Sequence, residues 1–215
     1  MNVLEKLRRG IDREIFDYQQ LMEYLGNYSK PRDKIGALLA ARAIVRVKKG
    51  LYVFGEAWRR QPVCRELLAN LIYGPSYVSL EYALSHHGLI PERAASVTSV
   101  TTGKARRFET PFGVFAYRPI PIAAYAAGIG LTKSGRDNFL IATPEKALAD
   151  FIWTDRRFRP AVPSDYAEYL RDDLRIEPER LKSLNRKMFD VIAQGYDTPR
   201  IAMLAAYLHR ARRNR

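Results

Sequence analysis

Between Ser29 and Gly55 the chain reads SKPRDKIGALLAARAIVRVKKGLYVFG, and a change of period inside this stretch decides the fold expected of the amino-terminal part. Ser29 is a candidate N-cap, and Pro31 suits the first turn of a helix, where its missing N–H and fixed φ do no harm. Ile35, Leu38 and Leu39 then form an apolar stripe at helical spacing. After Ala43 the period falls from 3.6 to 2, with Val45 and Val47 alternating with Ile44, Arg46 and Lys48. Lys49-Gly50 reads as a turn, Leu51-Tyr52-Val53-Phe54 as a returning strand, and Gly55 as its stop. The stretch predicts a helix followed by a basic β-hairpin.

Two further helices precede it. Val3, Leu4 and Leu7 mark one, ended by Gly10; Asp17 is a candidate N-cap for another, with Tyr18, Leu21, Met22 and Leu25 inward and Gly26 closing it. Three short helices and a hairpin predict a winged helix-turn-helix DNA-binding domain over residues 1–58. In that arrangement the third helix enters the major groove and the hairpin follows the backbone or minor groove. From Lys30 to Lys49 there are seven basic residues and one acid, Asp33. Rotation about the third helix turns Lys30, Asp33, Lys34, Ala37 and Ala41 outward and leaves Arg32 at the edge of the core stripe, in a first turn that attracts phosphate. Arg32 and Lys34 are therefore the expected readers of base edges. Lys30, Arg46, Lys48, Lys49 and the Tyr28 and Ser29 hydroxyls are the expected phosphate contacts. About six such contacts give a slope near −5 for log K against log salt. This arrangement requires Lys34, Lys48 and Lys49 to share one side.

Residues 59–215 predict a second, α+β domain: a small, largely antiparallel sheet with packed helices. Pro62 opens a helical segment with Val63, Leu67, Leu68, Leu71 and Ile72 that runs to Gly74-Pro75. Ser79 caps a helix through His87, stopped by Gly88. Ser96 to Thr102 alternates as a strand, and residues flanking Thr110-Pro111-Phe112 predict a hairpin. Phe139 to Ala142 reads as a short strand, and Thr143-Pro144-Glu145 starts a helix through Ala147, Leu148, Phe151 and Ile152. Gly128-Ile129-Gly130 and Ser134-Gly135 read as loop. Leu181, Leu184, Met188, Val191 and Ile192 predict one helical stripe, and Ile201, Leu204, Ala205 and Leu208 the inward face of the last helix, begun by Thr198-Pro199.

The 215 residues hold 36 Lys+Arg against 23 Asp+Glu, a formal charge of +13, which points to a polyanionic partner. A hydrophobic share of 47 % beside 27 % charged residues is that of a folded chain. Lys104, Arg106 and Arg107 form a secondary basic patch, and Arg210 to Arg215 a basic tail. Cys64, the one cysteine, rules out an internal disulfide and reads as a small hydrophobe. No apolar run approaches the roughly 18 residues of a membrane span, and Met1 to Lys6 lacks the apolar core of a signal peptide. A cytoplasmic, nucleoid-associated location with no membrane partner is expected.

Candidates for chemistry are few. His86 and His87 project about 100° apart on a helix and cannot chelate one metal as i, i+4 histidines do. His209 reads as a helix C-terminal residue facing carbonyls. Glu81, Glu109, Asp137, Glu145 and Asp150 could build a nuclease cluster, but without the carboxylate-x-Lys spacing after a strand. Glu145 reads as first-turn charge and Asp150 as helix surface. No phosphate-binding or nucleophile-elbow motif is present, so no metal, no cofactor and no catalytic residue are expected.

Ser76-Tyr77-Val78-Ser79-Leu80-Glu81-Tyr82-Ala83-Leu84-Ser85 with Gly88-Leu89-Ile90-Pro91, then Val97 to Thr102, then Ile141-Ala142-Thr143-Pro144-Glu145-Lys146-Ala147-Leu148-Ala149-Asp150, resemble the C-terminal domain of AbiEi-type antitoxins. The amino-terminal part ending in Gly50-Leu51-Tyr52 is similar to the module such proteins carry; the last sixty residues add little. The resemblance implies a bacterial type IV toxin–antitoxin antitoxin of a phage-defence (abortive infection) operon. It would bind inverted repeats in double-stranded DNA of its own promoter as a repressor, as a dimer or as cooperative monomers. It would also counter a nucleotidyltransferase-like toxin. The alternatives are a non-DNA adaptor that binds a protein partner, and a phosphate-transferring or nuclease enzyme.

Overall fold

The structure, a computed structural model, describes residues 2–210; the tail beyond Arg210 lies outside the described residues. The class is α+β, with one small antiparallel sheet and one mixed sheet. Helix α1 (Val3–Gly10) starts at Asn2, whose side chain accepts from the Leu4 amide while Glu5 reaches back to the Asn2 amide. Strand β1 (Ile15–Asp17) follows, and Asp17 ends it by capping α2 (Tyr18–Leu25) in a reciprocal pair with Gln20. Helix α3 (Pro31–Ala40) begins on Lys30 and not on Ser29, and no side chain caps it. Strands β2 (Ile44–Lys48) and β3 (Leu51–Phe54) form the expected hairpin, and β1 adds to β3 to give the order β1-β3-β2. Gly50, at φ +84°, makes the turn. Gly55 lets the chain close on the end of α3: a Cβ there would lie 1.9 Å from the Arg42 carbonyl oxygen.

The small sheet is buried on both faces. Phe16, Ile44, Tyr52 and Phe54 join Leu4, Leu7, Leu21, Leu25, Ile35 and Leu38 in one apolar cluster. Ile15, Val47, Leu51 and Val53 belong to the larger cluster that includes Leu68 and Ile72 of α4 (Arg65–Ile72). Burial of both faces explains why Leu51 to Phe54 reads as a continuous apolar run.

The second sheet is larger than expected and mixed. Its strands are β4 (Ser76–Val78), β5 (Val97–Thr101), β6 (Arg106–Thr110), β7 (Gly113–Pro119), β8 (Ile129–Ser134) and β9 (Asp137–Ala142), in the order β6-β7-β5-β4-β9-β8. The pairs β4–β9 and β5–β7 are parallel and the other three antiparallel. The glycine-bearing segment expected as loop is β8, paired in full register with β9. Helix α4 lies on one face, held by the Tyr117 hydroxyl donating to the Ala69 carbonyl at 2.6 Å and by Asn70 bonding both backbone groups of Leu140. Leu71 of α4 is exposed, contrary to its expected place in the stripe.

Helices α5 (Leu80–His86) and α7 (Pro144–Thr154) pack together, and Thr143 caps α7 through the Lys146 amide. Ser79 precedes α5 but sends its hydroxyl elsewhere, to Asp150. A short helix α6 (Ile122–Tyr125) leads into β8. After α8 (Asp165–Glu168) and a π-helical turn over Tyr169–Asp173 come α9 (Pro178–Ser183), α10 (Arg186–Tyr196) and α11 (Pro199–Arg210). The stripe expected over Leu181 to Ile192 is split between α9 and α10, with Met188 and Val191 exposed. Ile201, Leu204 and Leu208 are buried as expected.

Candidate nucleic-acid interface

The first turn of α3, the start of α2 and the β2–β3 turn enclose a groove. The Tyr18 amide donates to the Gly50 carbonyl at 3.0 Å, which fixes the hairpin turn against α2. The concavity they leave has a volume of about 990 Å³ and is lined by Tyr18, Arg32, Ile35, Arg46, Lys49 and Tyr52. A second concavity of about 410 Å³ shares Tyr18 and Arg32 with it and extends along Ser29, Lys30 and Asp33. Lys30, Arg32, Arg46 and Lys49 are all exposed, so their charges remain in water above an aromatic floor. The Arg46 guanidinium lies 5.9 Å from the Tyr52 ring centroid. The N-terminus of α3, uncapped by any side chain, opens among these cations, and free N–H groups and the helix dipole favour an anion there. The groove can hold phosphate oxygens and has a planar aromatic wall.

The sequence-predicted set does not come together whole. Lys34 stands outside both concavities, its ammonium 5.5 Å from the Tyr28 ring centroid. Tyr28 and Ser29 are exposed, and Ser29 borders the smaller concavity. Lys48 is a correction: its ammonium donates to the Ile72 carbonyl at 2.6 Å, half-buried, and desolvation holds its pKa below the ordinary lysine value. The expectation that Lys34, Lys48 and Lys49 share one side therefore fails at Lys48. The physical reason is a β-bulge. Arg46 stands opposite Tyr52, but Lys48 stands opposite Leu51, so one extra residue turns Lys48 to the α4 side of the sheet.

The secondary patch also divides. Arg106 and Phe108 share one face of β6, with Phe108 against Tyr73 and Tyr117 on the α4 side; Arg107 points to the other face and pairs with Glu109 at 3.4 Å. Lys104 is exposed just before the strand.

The five carboxylates considered for catalysis are scattered among separate partners. Glu81 pairs with Arg118, Glu109 with Arg107, Asp137 with Arg13, and Glu145 accepts from the Asn185 amide. Asp150 is not helix surface but fully buried, paired with Lys146 at 2.9 Å and accepting from the hydroxyls of Tyr77, Ser79 and Tyr196. Among the described residues no group of three His, Cys, Asp or Glu side chains is placed to hold a metal ion. His209 meets the Asp190 carboxylate at 2.9 Å rather than carbonyls. Cys64 is buried as expected and accepts from the Leu67 amide as the N-cap of α4; burial pushes its thiol up to about 11, so it stays protonated at neutral pH. Among the described residues no helix is long and apolar enough to cross a membrane. No protein-family model matches the chain, and no curated protein matches it.

Proposed function

We propose that the chain is a DNA-binding transcriptional regulator whose amino-terminal part, α1 to β3, acts as a winged helix-turn-helix. The observation that carries this is the groove in which Arg32, Arg46 and Lys49 line one concavity between a helix N-terminus and a hairpin. The order helix, strand, helix, helix, strand, strand supports it, as does the formal charge of +13. In this reading Lys30, Arg46 and Lys49 hold backbone phosphates, and Arg32, expected from the sequence as a base reader, joins them because it lines the same concavity as Arg46 and Lys49. The exposed side of α3 faces the major groove, and Lys48 makes no contact. Lys34, at the start of α3, remains the candidate reader of a base edge. Repression of its own promoter and neutralisation of a nucleotidyltransferase-like toxin extend the proposal on the sequence resemblance to AbiEi-type antitoxins.

The test is a gel shift on the DNA upstream of its own gene, repeated over a range of salt. Four phosphate contacts give a slope of about −3.6 for log K against log salt. Retention that does not vary with salt, or no retention at low salt, would refute the proposal.

A further inference from the structure

Lys48 is bracketed by two residues of the groove, Arg46 and Lys49, yet it faces away from both. Its ammonium sits on the carbonyl of Ile72, the last residue of α4. Such a carbonyl lacks an intrahelical partner and carries the negative end of the helix dipole, so a cation is well placed there. Val47 and Leu51 belong to the same buried cluster as Leu68 and Ile72 of α4. The hairpin is thus fixed on its inner side by apolar contact and by one directed bond, while its outer side supplies charge to the groove. Across the hairpin, the Tyr18 amide holds the Gly50 carbonyl. The turn between them is set by both attachments.

We infer that Lys48 is a positioning residue for nucleic-acid binding: by fixing the β2–β3 hairpin to the C-terminus of α4, it places Arg46 and Lys49 against Arg32 without touching phosphate. The inference rests on the DNA reading above. It gives the larger, mixed-sheet part of the chain a mechanical share in binding, since α4 is the element that holds the hairpin.

A double-mutant cycle tests it, using the full chain and a fluorescent duplex of mixed sequence, with affinity and salt slope measured for each variant. Duplex of arbitrary sequence suffices because the phosphate term is independent of sequence. Lys48→Met is expected to weaken binding about five- to tenfold in the natural background and less than about twofold in a chain already carrying Arg46→Ala and Lys49→Ala. Lys48→Arg, which can still donate to Ile72, is expected to stay within about twofold of the natural protein. Should Met at position 48 prevent folding, Lys48→Gln enters the same cycle. An equal loss in both backgrounds, with a slope smaller by about 0.9 each time, makes Lys48 a phosphate contact and overturns the inference. An affinity unchanged by a folded Lys48→Met chain overturns it too, leaving the bond a stabilising one only. If the natural chain fails to bind the duplex at low salt, the DNA reading itself falls.

Discussion

Lys146 and Asp150 stand one helical turn apart on α7 with Nζ 2.9 Å from Oδ1, and neither side chain has any exposed surface. The ammonium also donates to the Ala124 carbonyl at 2.6 Å, and the carboxylate accepts from Tyr77, Ser79 and Tyr196. These partners come from β4, the residue before α5, α6 and α10, so the pair ties four parts of the chain to α7. Removing one member of a buried pair strands the other charge and typically costs about 3–5 kcal/mol. Lys146→Met or Asp150→Asn alone should lower stability by that order, seen as a fall of about 2–4 °C in Tm per kcal/mol for a chain of this length. The double variant should lose less than the sum, because Asn still accepts from the hydroxyls and no unpaired charge remains. Strict additivity in urea melts would show that the two charges do not depend on each other.

The reach of sequence reading can be judged from this same pair. Thr143-Pro144 announces the start of α7, as Asp17 announces α2, because a cap and its helix are local in the chain. Asp150 was expected on the surface since its hydroxyl partners lie 46 to 73 residues away, where no periodic pattern records them. Strands β1 and β4 have three residues each, too few for alternation to register, and β8 is broken up by Gly130 and polar residues. The groove was half legible. Alternation placed Arg46 correctly, but the bulge after it reverses the face of the next paired residue, and nothing in Val47-Lys48-Lys49 announces a bulge.

His87 gives the molecule a dependence on acid. Its Nε2 meets the Ala142 carbonyl at 2.7 Å, and burial, reinforced by His86 nearby, holds its pKa below 6.5. Since the folded state resists the proton that the unfolded state accepts near pH 6.5, stability is lost as pH falls from about 6.5 through the lower folded-state value. His87→Gln keeps a donor near Ala142 and removes the titration. Urea midpoints at about pH 7.5 and about pH 5.5 should differ less in this variant than in the natural chain. An equal difference would assign the acid sensitivity to other groups.

Glu14 fastens α1 to the small sheet. Fully buried, it accepts from both terminal nitrogens of Arg8, at 3.1 and 3.3 Å, and from the Arg60 amide at 3.1 Å. Arg8 in turn lies over Phe54, its guanidinium carbon 4.3 Å from the ring centroid. Glu14→Ala leaves a buried guanidinium unpaired and should destabilise the chain by about 3–5 kcal/mol. Lys6→Ala, on the exposed side of α1, serves as the comparison and should stay within about 1 kcal/mol. Chemical denaturation of the two variants separates these outcomes.

The groove cations should behave alike towards every duplex. Arg46→Ala and Lys49→Ala each remove one exposed charge from the same concavity. Each should weaken binding to specific and mixed-sequence DNA by a similar factor and reduce the salt slope by about 0.9. Lys34→Ala, outside the concavity, should instead narrow the gap between the two DNAs. If Arg46→Ala alone abolished sequence preference, the hairpin and not α3 would be the reading element.

Gly36 separates the demands of folding from those of binding. It lies inside α3, is exposed, and a Cβ added there meets nothing within 4 Å. Alanine should therefore stabilise the helix by about 0.5–1 kcal/mol, through its lower backbone entropy in the unfolded chain. If the exposed side of α3 lies against the floor of a DNA groove, the same methyl group intrudes on the contact, so Gly36→Ala should melt at a higher temperature while binding its operator more weakly. A variant that gains stability and keeps full affinity would place the exposed side of α3 away from the DNA, because no loss of fold could then account for the result.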